Sequence, residues 1–159
     1  MTRFIGVDPG LASGLVSFHV DERNSIANFE HYQVDHIGLG NYFEELKSMW
    51  KTKRPEDWDT VIAMESYIVT PGTAKKSQAP WSLESIGMVR YFVETSGLSL
   101  RMSAPSAHKK LVSDAVLKSA GLFVPGQGHS NDAARVALHV AIVDYKLLRE
   151  HLKTGEEDG

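Results

Sequence analysis

The chain has 159 residues and a mass of 17.6 kDa, with 42% apolar and 23% charged residues. That is enough for one domain with its own core and too little for two. Its 17 Lys+Arg stand against 20 Asp+Glu, a formal net charge of −3 that excludes a polycation coating nucleic acid by charge alone. Cysteine is absent, which excludes disulfides, thiolate catalysis and thiolate metal sites together. No apolar run approaches the roughly 20 residues of a membrane-spanning helix, and no charged-then-apolar signal opens the chain. The expectation is a cytoplasmic protein without a membrane partner, its domain spanning residues 1–153 and a flexible charged tail occupying 154–159.

In chain order, Phe4-Ile5-Gly6-Val7 is a short apolar run that stops at Asp8-Pro9-Gly10 and predicts a buried strand ending in a turn. Leu15 to Val20 alternates apolar and polar residues and predicts a second strand. Ile26 to Val34 predicts a third, antiparallel to the second. Tyr42, Phe43, Leu46, Met49 and Trp50 recur at helical spacing and predict a helix over Gly40 to Lys51. Val61-Ile62-Ala63-Met64 is another buried run, delivering Glu65 at its end. Thr70 to Pro80 carries two prolines, a glycine and two lysines and reads as a loop. Trp81 to Thr95 is predicted helical, with Leu83, Ile86, Val89, Phe92 and Val93 on one side. Ser99 to Ala104 is a short strand closed by Pro105, and Ser106 caps a helix running to about Ala120, where Gly121 ends it. Ser130 or Asn131 caps a long last helix with Ala133, Val136, Ala137, Val140, Val143 and Leu147 inward. Three strands in a meander followed by alternating helix and strand predict an α/β domain, one mixed five-stranded sheet flanked by helices.

Charge is unevenly divided along this order. From His19 to Glu65 there are ten acids and five bases, whereas from Ser66 to Lys118 there are three acids and seven bases. One contiguous half can thus present a basic face to a polyanion, although a solvated surface gives the same count.

Two buried strands each end in a carboxylate, Asp8 and Glu65, at the place where α/β folds open a crevice for ligands. Either acid alone reads as a turn former, but two on strands that can lie side by side repel and need a compensating cation or a shared proton. His129 and Asp132 lie three apart at the start of the last helix, so both reach the same side of its first turn. The small residues that follow, Ala133, Ala134, Val136 and Ala137, let that helix press on the sheet and carry Asp132 towards the strand ends. Three carboxylates and an imidazole converging predict a pair of divalent metals, ~3.5–4 Å apart, acting on water at a phosphodiester. Mg²⁺ suits oxygen ligands and keeps several waters.

Asp8 in Phe4-Ile5-Gly6-Val7-Asp8-Pro9-Gly10, Glu65 after Val61 to Met64, and His129-x-x-Asp132-Ala133 together resemble the RuvC Holliday-junction resolvases, most closely the compact RuvC-like endonucleases of bacteriophages. The resemblance extends over nearly the whole chain, including the Lys75-Lys76 loop and the run Trp81-Ser82-Leu83-Glu84-Ser85-Ile86-Gly87-Met88-Val89-Arg90-Tyr91. It implies a ribonuclease H-like fold, a homodimer, two Mg²⁺ or Mn²⁺ ions per active site, no nucleotide cofactor, and paired symmetric nicks across a four-way DNA junction that leave a 5′-phosphate and a 3′-hydroxyl. By motif, Asp8 would bridge the metals, Glu65 would bind one of them and Asp132 would complete the set. His129 stands where many relatives carry another aspartate and some a histidine. As a neutral imidazole it is a poorer Mg²⁺ ligand than a carboxylate, so it either ligates the second metal, favouring Mn²⁺, or relays a proton at the reacting water. A phage-encoded enzyme of this kind would work in the bacterial host's cytoplasm.

For DNA contact, Lys75 and Lys76 come first, then Lys109, Lys110 and Lys118, since lysine reaches phosphates without fixed geometry. Tyr67, two residues past Glu65, is the candidate for stacking on an unpaired base, with Trp81 as a second platform. Leu83, Gly87, Met88 and Tyr91 are candidates for a dimer contact on the helix from Trp81. The competing readings are a YqgF-type or other ribonuclease H-like nuclease acting on RNA or flaps, and a non-catalytic DNA-binding module. A nucleotide-binding domain of the actin and sugar-kinase type is excluded by length, since such ATPases need two such domains.

Overall fold

The computed structural model describes residues 1–52, 59–66, 71 and 79–155. Its strands are β1 (Thr2–Asp8), β2 (Ser13–Val20), β3 (Ile26–Val34), β4 (Asp59–Glu65) and β5 (Ser99–Ser103). Its α-helices are α1 (His36–Thr52), α2 (Ala79–Ser96), α3 (Pro105–Leu111), α4 (Asp114–Ser119) and α5 (Gly128–Val143), followed by a 3₁₀-helix over Arg149–Gly155. The five strands form one mixed sheet in the order β3-β2-β1-β4-β5. The first three strands pair antiparallel, while β4 lies parallel to β1 on one side and to β5 on the other.

The continuous apolar runs of β1 and β4 follow from burial on both faces of a parallel pair. Phe4, Val61 and Ala63 face a core closed by α5, and Ile5, Val7, Ile62 and Met64 face a second core closed by α1 and α2. All eight residues of β2 are buried. Ser17 accepts from Arg3 Nε at 2.9 Å.

Two glycines bring α5 down onto this sheet. A Cβ on Gly6 would stand 2.1 Å from the Ala133 carbonyl oxygen, and one on Gly14 would stand 1.8 Å from that of His129. Any side chain at either position would push the first turn of α5 off β1 and β2.

Several local expectations are corrected. The helix expected from Ser106 to Ala120 is two helices. Val112 leaves helical geometry and gives its carbonyl to Arg135 Nε at 2.8 Å, and Ser113 caps α4 by accepting from Val116 N. Pro105, not Ser106, sets the start of α3. Ser130 and Asn131 lie inside the first turn of α5 rather than capping it. Ser130 donates to the Tyr32 carbonyl on β3 at 3.0 Å, and Asn131 bonds both N and O of Val124. Val143, expected inward, is 37% exposed, and Leu83 lies outside the packed side of α2. A 3₁₀-helix over Arg149–Gly155 follows α5 and takes in the first two residues of the 154–159 segment.

Candidate active site

The parallel register sets Val7 beside Met64 and Glu65 beside Ser103, so Asp8, Glu65 and Ser103 end neighbouring strands at the same edge of the sheet. The helix α5, seated on Gly6 and Gly14, brings His129 and Asp132 to this edge. His129 Nδ1 lies 2.9 Å from Asp8 Oδ2. An ionised carboxylate only accepts, so Nδ1 carries the proton of this bond and Nε2 is the ring's remaining site. The His129 backbone N–H donates to Gln33 Oε1 at 3.0 Å, which adds β3 to the supports of this turn.

The Asp8 carboxyl is only 15% exposed, and its pKa is raised from 3.8 to about 6. Burial is the main cause; the hydrogen bond from His129 opposes it, and the negative charges of Glu65 and Asp132 add to it. The four residues singled out from the sequence are thus electrostatically one site. Two of them nevertheless have other partners. Glu65 Oε2 stands 3.0 Å from Nε2 of the fully buried His108. Asp132 is bound by Nη1 of Arg135 and lies 3.8 Å from Lys109 Nζ. Arg135 in turn holds Asp114 and the Val112 carbonyl, tying α5 to α4 and to the end of α3.

A divalent ion is tested here by donor chemistry and by geometry. The donors fit: three carboxylates offer hard oxygen, and their mutual repulsion at Asp8 is what a cation relieves. A finished cage is not present, since no group of three His, Asp or Glu side chains among the described residues is placed to hold one ion. Asp132 Oδ2 would have to leave Lys109 to join Asp8.

His108 and Arg135 escaped the sequence reading. His108 shares i, i+3, i+4 spacing with Leu111 and Val112, the inward stripe of a short helix, and that spacing is the signal for it. Arg135 is a lone base in an otherwise small and apolar helix, three residues after Asp132. Of the DNA-contact candidates, Lys109 adjoins the site, Lys110 is exposed on the same helix, and Lys118 lies over the Phe123 ring at 4.9 Å. Tyr67, Lys75 and Lys76 lie outside the described residues. Trp81 is partly buried and lies against the His36 ring, with centroids 5.0 Å apart. Leu83, Gly87 and Tyr91, four apart on α2, are exposed, whereas Met88 is half-buried over Gly40 of α1. A groove of about 550 Å³ between β3 and α1 includes none of these candidates.

The T. thermophilus RuvC in complex with Holliday junction substrate superposes with a TM-score of 0.65, over 92% of this chain and 96% of that one, at 18% identity. The fold is that of the RuvC resolvases. A second Thermus thermophilus RuvC structure gives 0.64 over 91% and 96%, at 19% identity. The yeast mitochondrial Holliday junction resolvase gives 0.53 over 96% and 83%, at 14% identity. No protein-family model matches the chain, and no curated protein sequence does either. The described residues thus carry the ribonuclease H-like fold that the resemblance implied, with Asp8 and Glu65 on adjacent parallel strands. No helix among the described residues is long and apolar enough to cross a membrane.

Proposed function

We propose that this protein is a metal-dependent, structure-selective DNA endonuclease that resolves four-way junctions by paired nicks and works as a homodimer. The observation that carries this reading is the convergence of Asp8, Glu65, His129 and Asp132 on one edge of a RuvC-like sheet, with Asp8 raised to about 6 by burial and by its two acidic neighbours. The fold similarity to a RuvC bound to a Holliday junction substrate supports the choice of substrate.

In this proposal Asp8, Glu65 and Asp132 hold divalent ions, Mg²⁺ or Mn²⁺, two per site. When bound, such ions activate the attacking water and neutralise charge on the phosphate. The chain's own contributions are positional and protonic. His129 holds Asp8 through Nδ1 and keeps Nε2 available to take the proton that the water loses. The water oxygen bonds to phosphorus, the bond from phosphorus to the 3′ oxygen breaks, and that oxygen takes a proton from solvent to leave as a hydroxyl, while His129 returns its own to solvent. Lys109, within reach of Asp132 Oδ2 at 3.8 Å, moves to a DNA phosphate and releases that oxygen, while Arg135 keeps its hold on Oδ1. Lys110 and Lys118 extend the phosphate contacts, as do Lys75 and Lys76, with Tyr67 stacking on an unpaired base. The exposed Leu83, Gly87 and Tyr91, with Met88 beside them, form the dimer contact.

The test is cleavage of a labelled four-way junction with Mg²⁺ or Mn²⁺, run beside flap, duplex and RNA substrates, for wild type and Asp8→Asn. Symmetric nicks in the junction that vanish in Asp8→Asn, with junction binding retained, are expected. Cleavage that survives Asp8→Asn overturns the site, and preference for RNA or flaps overturns the substrate.

A further inference from the structure

The carboxylate of Glu65 ends β4 at a place where a buried polar chain reaches it from behind. His108 Nε2 is 3.0 Å from Glu65 Oε2, and His108 has no solvent exposure at all. Its other nitrogen, Nδ1, is 3.4 Å from Ser103 Oγ at the end of β5. Ser103 Oγ is in turn 3.5 Å from Nδ1 of His139 on α5. The His108 and His139 rings meet edge to face, with centroids 6.4 Å apart. Four elements, β4, β5, α3 and α5, each contribute one member.

Burying such a chain is costly unless its members satisfy each other, and an apolar residue at position 108 would fill the volume without that cost. One set of proton positions joins all of its members. Glu65 as a carboxylate accepts only, so His108 must carry its proton on Nε2. His108 Nδ1 then bears a lone pair and takes the Ser103 hydroxyl proton in preference to the Ala104 carbonyl, 3.5 Å from the same hydroxyl, and Ser103 accepts from Nδ1–H of His139. Burial holds the pKa of His139 below its ordinary value against the opposing charge of Asp144, so it is the neutral ring that this pattern needs. Every donor in the chain points towards Glu65.

We infer that His108, locked in its Nε2–H tautomer by Ser103 and His139, is the positioning residue that turns one oxygen of Glu65 inward and presents the other to the crevice. The inference rests on the proposed reading of Glu65 as a holder of a divalent ion. His108 acts through Glu65 and touches neither substrate nor ion. Its contact with Oε2 is not yet a straight hydrogen bond, and both atoms are otherwise unpartnered; it straightens when the second oxygen is engaged.

The experiment uses the full chain, first without metal and then titrated with Mn²⁺. Long-range proton–nitrogen NMR of the metal-free protein is expected to show His108 with its proton on Nε2; a proton on Nδ1 overturns the inference. Mn²⁺ affinity, read from the paramagnetic signal of the free ion, is expected to fall about 10–100-fold in His108→Leu and to return to within about threefold of wild type in His108→Gln, whose amide nitrogen replaces Nε2. Equal weakness of the two variants overturns the inference. Should His108→Leu fail to fold, Ser103→Ala is the second variant: it removes the donor to Nδ1, and a His108 tautomer that stays wholly Nε2–H with undiminished Mn²⁺ affinity overturns the lock. A wild type that binds Mn²⁺ in this His108-dependent way but cuts none of the DNA or RNA substrates upholds the positioning role and overturns the nuclease reading instead.

Discussion

The site contains two carboxylate–imidazole pairs of nearly equal length and opposite access to water. Asp8 and His129 are 2.9 Å apart with the imidazole 51% exposed, whereas Glu65 and His108 are 3.0 Å apart with the imidazole wholly enclosed. The exposed ring can trade protons with solvent or take a ligand, so its pair is suited to chemistry. The enclosed ring can only hold what it touches, so its pair is suited to orientation. Bond length alone does not separate these uses; the path to water does.

The largest expected effect strikes the exposed pair. Asp8→Asn removes a charge from the proposed ion site and is expected to cut junction cleavage by about 10³-fold, since charge stabilisation worth several kcal/mol converts at about 1.4 kcal/mol per factor of ten. Binding of the junction, measured separately by gel shift, should change little. If binding and cleavage fall together, Asp8 is a recognition residue and the comparison fails.

The same substitution should act oppositely on stability. The Asp8 carboxyl in the folded chain titrates at about 6 against 3.8 unfolded, so the unfolded state gives up its proton first as pH rises. Folded stability is therefore highest below pH 3.8 as far as this group is concerned and is progressively lost up to pH 6. Above pH 6 the full loss, at most about 3 kcal/mol, is in force. Asp8→Asn removes it, and the metal-free variant should melt above the metal-free wild type at pH 7.5, by up to about 5–10 °C. That gain should shrink as pH falls through 6 towards 4. A gain of the same size at pH 4.5 and 7.5 contradicts the assignment of strain to the ionised carboxylate.

The two pairs differed in how far the sequence revealed them. Asp8 and Glu65 stand out because each closes an uninterrupted apolar run, a signal that survives without knowledge of neighbours. His129 and Asp132 were legible from their spacing at a helix start. His108 was legible only as an inward position, from its spacing with Leu111 and Val112; the parallel pairing of β4 with β5 is what brings it behind Glu65. Ser130 and Asn131 were misread for a related reason. The groups that cap a helix end are the same groups that fasten it to a strand or loop, and here they bind Tyr32 and Val124. The break at Val112 likewise depends on Arg135, 23 residues further along the chain. Local pattern thus located the strands and the acids, and long-range hydrogen bonds decided the rest.

Within the exposed pair, His129→Asn separates the ring's two nitrogens. The asparagine amide can still donate to Asp8 in place of Nδ1, but nothing replaces Nε2. Cleavage is expected to drop about 10²-fold, the usual scale of a lost general base, with a flattened pH–rate profile. Full activity with an unchanged profile would remove both the ligand and the proton-relay roles and leave His129 as a mere holder, like its buried counterpart.

The smallest expected effect concerns the helix that carries the enclosed pair. On α3 one residue, His108, turns inward to Glu65, and the next two, Lys109 and Lys110, are exposed. Lys109 also lies 3.8 Å from Asp132, while Lys110 makes no ion pair among the described residues. If Lys110 contacts only a phosphate, Lys110→Ala should lower the slope of log affinity against log salt by about 1, worth about threefold in junction binding between 50 and 200 mM salt. Its cleavage rate at saturating DNA should equal that of wild type. Lys109→Ala should show the same change in slope together with a lower metal requirement for cleavage at subsaturating DNA, because Asp132 is already free of the partner that DNA is proposed to draw away. Indistinguishable behaviour of the two variants in both assays would mean that Lys109 is not coupled to the site, and that α3 reaches the chemistry through His108 alone.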